Sequence, residues 1–310
     1  MIRNYPLETV YSHGYLLILG NGQGWELIPN SEVIFEVGEL GRIMGLRPYE
    51  PNGYPKLIFV RKESEKPGFN EMSWRFDENM KIDLQKLGWK AHDLTFLRFW
   101  SHDDIPDLIC EMRHEEDDYE RRILSMRFSL YPIYQQAQES GGLPLHAGLV
   151  ERNGKGVLLA GPKNTGKSTC CRRLPKPWYP LSDEETLIVR TDEKQYLAHP
   201  FPTWSDHLSS RSERTWKVNS HVSISSIFLI EQASYDEVVP LGQGEAAVFI
   251  NQLATQVCCR YWNNIDHDEL RIRMKKLFEN ATELARTIPA FRLRVSLEGR
   301  FWEEMEKVLQ

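Results

Sequence analysis

Eight consecutive residues, Gly161-Pro162-Lys163-Asn164-Thr165-Gly166-Lys167-Ser168, satisfy the pattern G-x-x-x-x-G-K-[ST]. That spacing suits phosphate chemistry. Backbone N–H groups from Lys163 to Lys167 can cradle a β-phosphate, and the positive end of a following helix adds to the field. Lys167 brings a point charge to the β- and γ-phosphates, and the Ser168 hydroxyl a ligand for Mg²⁺. Gly161, Lys163, Asn164, Thr165, Gly166, Lys167, Ser168 and Thr169 are therefore the expected nucleotide-binding residues, with ATP and Mg²⁺ as ligands. With fifteen residues between it and Lys167, an acidic cluster, Asp183-Glu184-Glu185, opens the apolar run Leu187-Ile188-Val189. A carboxylate there can serve a metal ion or a nucleophile. In an ordinary P-loop NTPase the acid ends an apolar strand, whereas here the acids begin one.

Such a loop needs a strand before it and a helix after it. Gly156 to Ala160 (GVLLA) reads as the strand and KSTCCRRL from Lys167 as the helix. Asn153-Gly154 between two β-type runs predicts a tight hairpin feeding the loop. Pro175, Pro177 and Pro180 must stop the helix early, since proline cannot sit in a helix interior. Farther on, Ser225 to Glu231 reads as a buried strand and Gly244 to Cys259 as a helix. Asp266 to Arg286 predicts another helix, with Leu270, Met274, Leu277, Phe278, Ala281 and Leu284 on one stripe. The end of the chain reads as strand, turn at Glu298-Gly299, and helix. The second half thus alternates strand and helix around the loop, an α/β pattern.

The first half reads as α+β, with short strands at Tyr15 to Leu19 and Leu57 to Val60. Its charge-crowded segment Glu111 to Arg122 predicts a solvated helix face running into a packed one. The change of character at Gly141-Gly142 sets expected domains at 1–140 and 141–310. Between His199 and Trp216, HPFPTWSDHLSSRSERTW reads as a long polar loop, from which Arg211 or Arg214 could reach a γ-phosphate or an acidic substrate.

The composition limits the classes of function. With 310 residues, 38 basic and 44 acidic side chains and a net charge of -6, phosphate-backbone binding is disfavoured, so no nucleic-acid partner is expected. No apolar run approaches the roughly 20 residues of a membrane span, and the first residues lack a signal-peptide pattern, so a cytoplasmic protein without a membrane partner is expected. The five cysteines, Cys110 and the pairs Cys170/Cys171 and Cys258/Cys259, have no zinc-ligand spacing and read as reduced thiols.

His146, the strand before the loop, the GxxxxGKS loop, a short helix and Leu181-Ser182-Asp183-Glu184 together resemble HPr kinase/phosphorylase. That family pairs an upstream histidine and a P-loop with an Ala-Asp-Asp or Ser-Asp-Asp motif. The resemblance covers residues 145 to about 190 and extends loosely to about 255. With His199 to Trp204 and the closing RLRVSLEGRFWEE, the wider architecture is similar to the HPr-kinase-like proteins of SynChlorMet-type peptide-modification cassettes.

The resemblance implies an HPr-kinase-like, PEP-carboxykinase-like P-loop domain preceded by a smaller α+β domain that recognises substrate. It implies an ATP- and Mg²⁺-dependent kinase acting on a serine hydroxyl of a peptide or small protein. Asp183 falls on the family's catalytic acid, the base for the acceptor hydroxyl. Glu184 falls on the second acid, an Asp in the family, which helps Ser168 hold Mg²⁺. His146 matches the histidine near the phosphates, and Lys167 completes the expected catalytic set. Pro162 and Asn164 replace a frequent Ser-Gly without removing backbone donors. The later glycine-rich signature tied to phosphorolysis is missing, so a kinase without the reverse activity is expected. A small-metabolite kinase acting on free serine and a non-catalytic nucleotide-binding regulator are the alternatives, and homo-oligomer formation stays open.

Overall fold

The computed structural model describes residues 14–48, 53–61, 74–77, 80–82, 84–113, 118–162, 164–210, 212–262 and 265–309. It is mixed α/β with two mixed sheets, divided into two compact units. The first unit takes the described residues to Ile18, Gly24–Arg42 and Leu46–Leu130. The second takes Leu19–Gln23, Ile43–Gly45 and the chain from Tyr131 onward. Among the described residues no helix is long and apolar enough to cross a membrane.

In the first unit, β1 (Tyr15–Ile18), β2 (Gly24–Pro29), α1 (Ile34–Met44), β3 (Arg47–Pro48) and β4 (Lys56–Arg61) are followed by a two-stranded pair, β5 (Trp74–Asp77) and β6 (Met80–Ile82). Then come β7 (Lys90–Asp93), β8 (Leu97–His102), β9 (Ile105–Met112) and α2 (Tyr119–Phe128). The seven-stranded sheet runs β3-β1-β2-β4-β9-β8-β7, with β2, β4 and β9 parallel at its centre. Those central strands bury nearly continuous apolar runs such as Leu57 to Val60, as strands covered on both faces do.

The charged segment departs from the expected helix. Glu111 and Met112 close β9, and Glu111 is buried, accepting from Trp100 Nε1 at 3.1 Å beside Arg113. Burial is the main cause of its raised carboxyl pKa. Residues 114–117 lie outside the described ones, and helix starts at Tyr119, capped by Asp118, which accepts from the Arg121 N–H at 3.0 Å. A buried carboxylate met by an indole across the sheet leaves no trace in a linear charge pattern.

The second unit begins with α3 (Tyr131–Glu139), then β10 (Leu143–Leu145), β11 (Ala147–Arg152), β12 (Lys155–Ala160), α4 (Lys167–Arg173), β13 (Tyr179–Ser182), β14 (Glu185–Arg190) and β15 (Tyr196–Phe201). It continues with α5 (Trp204–Ser210), β16 (Val222–Gln232), β17 (Glu237–Pro240), α6 (Gln243–Cys258), α7 (His267–Thr287), β18 (Ala290–Val295) and α8 (Phe301–Val308). The unit starts at Tyr131, ahead of Gly141-Gly142, because α3 buries Tyr131, Ile133 and Tyr134 here and Tyr134 donates to the buried Glu185. Its sheet follows β10-β14-β15-β16-β12-β11-β13, with β18 and then β17 joined to β16. β12, β16 and β18 are parallel.

The hairpin at Asn153-Gly154 has positive φ at both turn residues, 53° and 78°, the backbone that a two-residue turn between twisted strands demands. Helix α4 ends at Arg173, ahead of the prolines, and buries Cys170 and Cys171 in a core with Val157, Phe228, Phe301 and Met305. On α7 the buried face is Leu277, Asn280, Ala281 and Leu284, while Met274 and Phe278 from the expected stripe are exposed. Asn280 takes a place on that face because its amide donates to the backbone oxygens of Gln138 (2.7 Å) and Gly142 (3.0 Å).

Candidate active site

The register of β11 brings the separate parts of the sequence pattern together. Ala147 pairs with Ala160, so His146 lies at the strand end beside the start of the Gly161–Ser168 loop. Leu149 pairs with Ser182, which brings the Asp183-Glu184 turn to the same strand. At Gly148 the strand is pressed close: a Cβ would stand 2.8 Å from Cys171 Sγ and 3.5 Å from Asp183 Cα. A glycine here lets α4 and the acidic turn approach β11 together.

A cavity of about 640 Å³ opens between these parts, within the range of sites that hold nucleotide-sized ligands. His146, Asn164, Gly166, Lys167, Ser168 and Thr169 line it together with Asp183 and Glu184. Gly161 and Thr165 belong to the loop without lining the cavity; Thr165 Oγ1 donates to Pro162 O at 2.8 Å. Lys163 and Arg211 lie outside the described residues. Arg214 does not line the cavity, yet its Nη1 is 3.6 Å from Asp183 Oδ1.

The loop holds itself. Lys167 Nζ donates to Gly161 O (2.8 Å) and Pro162 O (2.9 Å), using two of its three N–H groups. Burial is the main cause lowering the Lys167 pKa, partly offset by the Glu184 and Cys171 charges. Gly166 has φ 96° with nothing near a Cβ, and Asn164 has φ 68°, so the backbone turns through left-handed positions ahead of α4. Asn164 O accepts from Gln232 Nε2 at 3.1 Å, tying the loop to the end of β16.

The acids are held from a distant segment. Asp183 Oδ1 accepts from Thr203 Oγ1 at 2.5 Å, and Glu184 Oε2 accepts from Ser205 N (3.2 Å) and Ser205 Oγ (3.1 Å). Among the described residues Asp183 Oδ2 and Glu184 Oε1 carry no hydrogen bond. Each carboxylate is fixed by one oxygen and keeps the other. Ser168 Oγ and a free Glu184 oxygen make a hard-oxygen donor pair of the kind Mg²⁺ takes alongside phosphate oxygens and water. Among the described residues no three His, Cys, Asp or Glu side chains are grouped to hold a metal ion by themselves.

The segment from His199 to Trp216 corrects the reading of a polar loop. His199 to Phe201 finish β15 and Trp204 to Ser210 form α5. Trp204, His207 and Trp216 are buried, with the His207 ring 6.2 Å from Trp204 and 5.5 Å from Trp216. Arg214 lies over the Trp216 ring at 4.8 Å. Aromatic residues spaced along the segment form its own packed layer. His199 Nε2 accepts from Gly20 N (2.9 Å), which fixes Nδ1 as the protonated nitrogen that donates to Val218 O (2.7 Å). Burial, the largest cause, lowers its pKa to about 4.

Arg172, Thr203, Ser205, Asp206 and Gln232 also line the cavity and were not singled out as site residues by sequence. Arg172 follows one helical turn after Ser168, so helix periodicity gave a signal for it. Thr203 and Ser205 gave none, because their partners lie 20 and 21 residues away.

No curated protein matches the chain in sequence. The profile of the family described as SynChlorMet cassette protein ScmC matches residues 108–310, more than half of the chain and all of the segments that build the cavity. The chain belongs to the ScmC family of SynChlorMet cassette proteins.

Proposed function

We propose that this protein is an ATP- and Mg²⁺-dependent kinase that transfers the γ-phosphate to a serine hydroxyl of a peptide or small protein. One observation carries the reading: residues of the GxxxxGKS loop and the Asp183-Glu184 pair, separated from Lys167 by 15 residues, line a single cavity. As a P-loop, residues 161–168 would hold the β- and γ-phosphates through backbone N–H groups, and the third Lys167 N–H would add charge to them. Ser168 and Glu184 would hold Mg²⁺, which neutralises phosphate charge when bound. Asp183, with Oδ1 already fixed, would take the acceptor proton on Oδ2. His146, which lines the cavity, and Arg214, beside Asp183, would add positive charge toward the transferring group, and the rest of the catalysis would be positioning.

The resemblance to HPr kinase/phosphorylase supports this assignment of acids, and membership of the SynChlorMet cassette family, read with the sequence resemblance to peptide-modification cassette proteins, favours a peptide acceptor over a free metabolite. The test is mass spectrometry of serine-containing peptides and free serine after incubation with ATP, Mg²⁺ and the protein, beside Asp183→Asn and Lys167→Ala. Phosphate on a peptide, lost with either variant, is the expected result. Phosphorylation of free serine alone would redirect the reading to a metabolite kinase, and ATP binding without transfer to any acceptor would redirect it to a regulator.

A further inference from the structure

One hydroxyl already sits on the acid assigned as base. Thr203 Oγ1 donates to Asp183 Oδ1 at 2.5 Å, and Thr203 lines the same cavity as Lys167 and Ser168. A threonine directly before a helix ordinarily accepts a hydrogen bond from an N–H two or three residues on. Here that task is filled otherwise. The Ser205 N–H goes to Glu184 Oε2 (3.2 Å), and the Asp206 N–H goes to the backbone oxygen of Thr203 (3.1 Å). The Thr203 side chain is therefore released from capping, its proton is directed at a carboxylate, and among the described residues its oxygen accepts nothing. A hydroxyl donating to a general base beside a phosphate-binding loop has the arrangement of an activated nucleophile. Arg214 Nη1, 3.6 Å from the same Oδ1, places a positive charge at this point.

We infer that Thr203 is itself a phosphate acceptor, modified by its own chain from ATP held on the Gly161–Ser168 loop. The inference rests on the kinase reading above. Asp183 takes the proton from Thr203 Oγ1, a bond forms between Oγ1 and the γ-phosphorus, and the bond from that phosphorus to the β,γ-bridging oxygen breaks. ADP departs with that electron pair. Thr203 is only 3% exposed, so its hydroxyl is reached from inside the cavity and not by a second molecule. Transfer is then intramolecular and stops at one phosphate. The product sets a dianion against Asp183 and Glu184, which slows use of the base on other acceptors.

The experiment is intact mass and peptide mapping of the full chain after incubation with ATP and Mg²⁺, repeated over a hundredfold range of protein concentration. Wild type should gain one phosphate per chain, mapped to Thr203, at a rate independent of protein concentration. Thr203→Ser should keep the phosphate at the same position, and Thr203→Val and Asp183→Asn should lose it. Mapping in wild type and Thr203→Ser decides the matter even where Thr203→Val fails to fold. Phosphate only at other residues, or a rate proportional to protein concentration, would overturn the inference. An unmodified Thr203 in a protein that phosphorylates an added serine peptide would overturn it and leave the kinase reading intact. No transfer to Thr203 or to any added hydroxyl would overturn both.

Discussion

The two sides of the cavity are built by different means. The Gly161–Ser168 loop is held mostly within itself: Lys167 binds Gly161 and Pro162, and Thr165 binds Pro162. The acids Asp183 and Glu184 are held by Thr203, Ser205 and Arg214, from a segment that packs as an aromatic layer. If the loop binds phosphate, that binding should survive changes that chemistry cannot, because the loop's side-chain ties to distant chain run mainly through Gln232, whereas both acids are held from the 203–214 segment.

The largest expected effect breaks the acid side at its anchor. Trp216→Ala removes a buried ring that carries both His207 and Arg214, and such truncations cost about 3–5 kcal/mol. Urea unfolding should show that loss, and at low denaturant the folded fraction should still bind ATP. Lys167→Ala strikes the other side. Removing a buried, hydrogen-bonded charge costs about 2–5 kcal/mol, so ATP affinity measured by calorimetry should fall roughly a hundredfold while the fold of residues 203–216 persists.

A subtler probe is pH. His199 is neutral in the fold with a pKa lowered from 6.5 to about 4. Its contribution is therefore complete above pH 6.5, where both folded and unfolded forms are neutral. It is lost as pH falls from 6.5 toward 4, because the unfolded chain takes up the proton first. The full loss is on the order of 3 kcal/mol. Thermal melts should show Tm falling across that window, and His199→Gln should flatten the fall. Smallest of all, Ser205→Ala removes one hydroxyl donor from Glu184 but leaves the backbone N–H. That is worth about 1 kcal/mol, read as a severalfold rise in the Mg²⁺ concentration needed for half-maximal transfer.

How much of this could be read from sequence follows the same division. The loop, the Asn153-Gly154 hairpin and the early end of α4 were legible because turn chemistry and proline act over a few residues. The acidic turn was legible from its position behind the loop. Thr203 and Ser205 were not, since their roles exist only once the Asp183-Glu184 turn ahead of β14 meets the start of α5. Glu111 misled for a related reason: a charge in a linear run reads as solvated until a Trp100 indole across the sheet is known to meet it. The His199 to Trp216 segment read as polar because its histidines and arginines were counted as surface, whereas the fold buries His199 and His207 with two tryptophans.

If one cavity binds nucleotide with its loop and performs transfer with Asp183, the two functions must separate in a single variant. The most direct test follows γ-labelled ATP in wild type and Asp183→Asn, measuring ATP affinity and label transfer on the same samples. Affinity should stay unchanged and transfer fall by about 10²–10⁴-fold. Transfer at the wild-type rate in Asp183→Asn, or loss of ATP binding in that variant while its fold is intact, would contradict that assignment of roles.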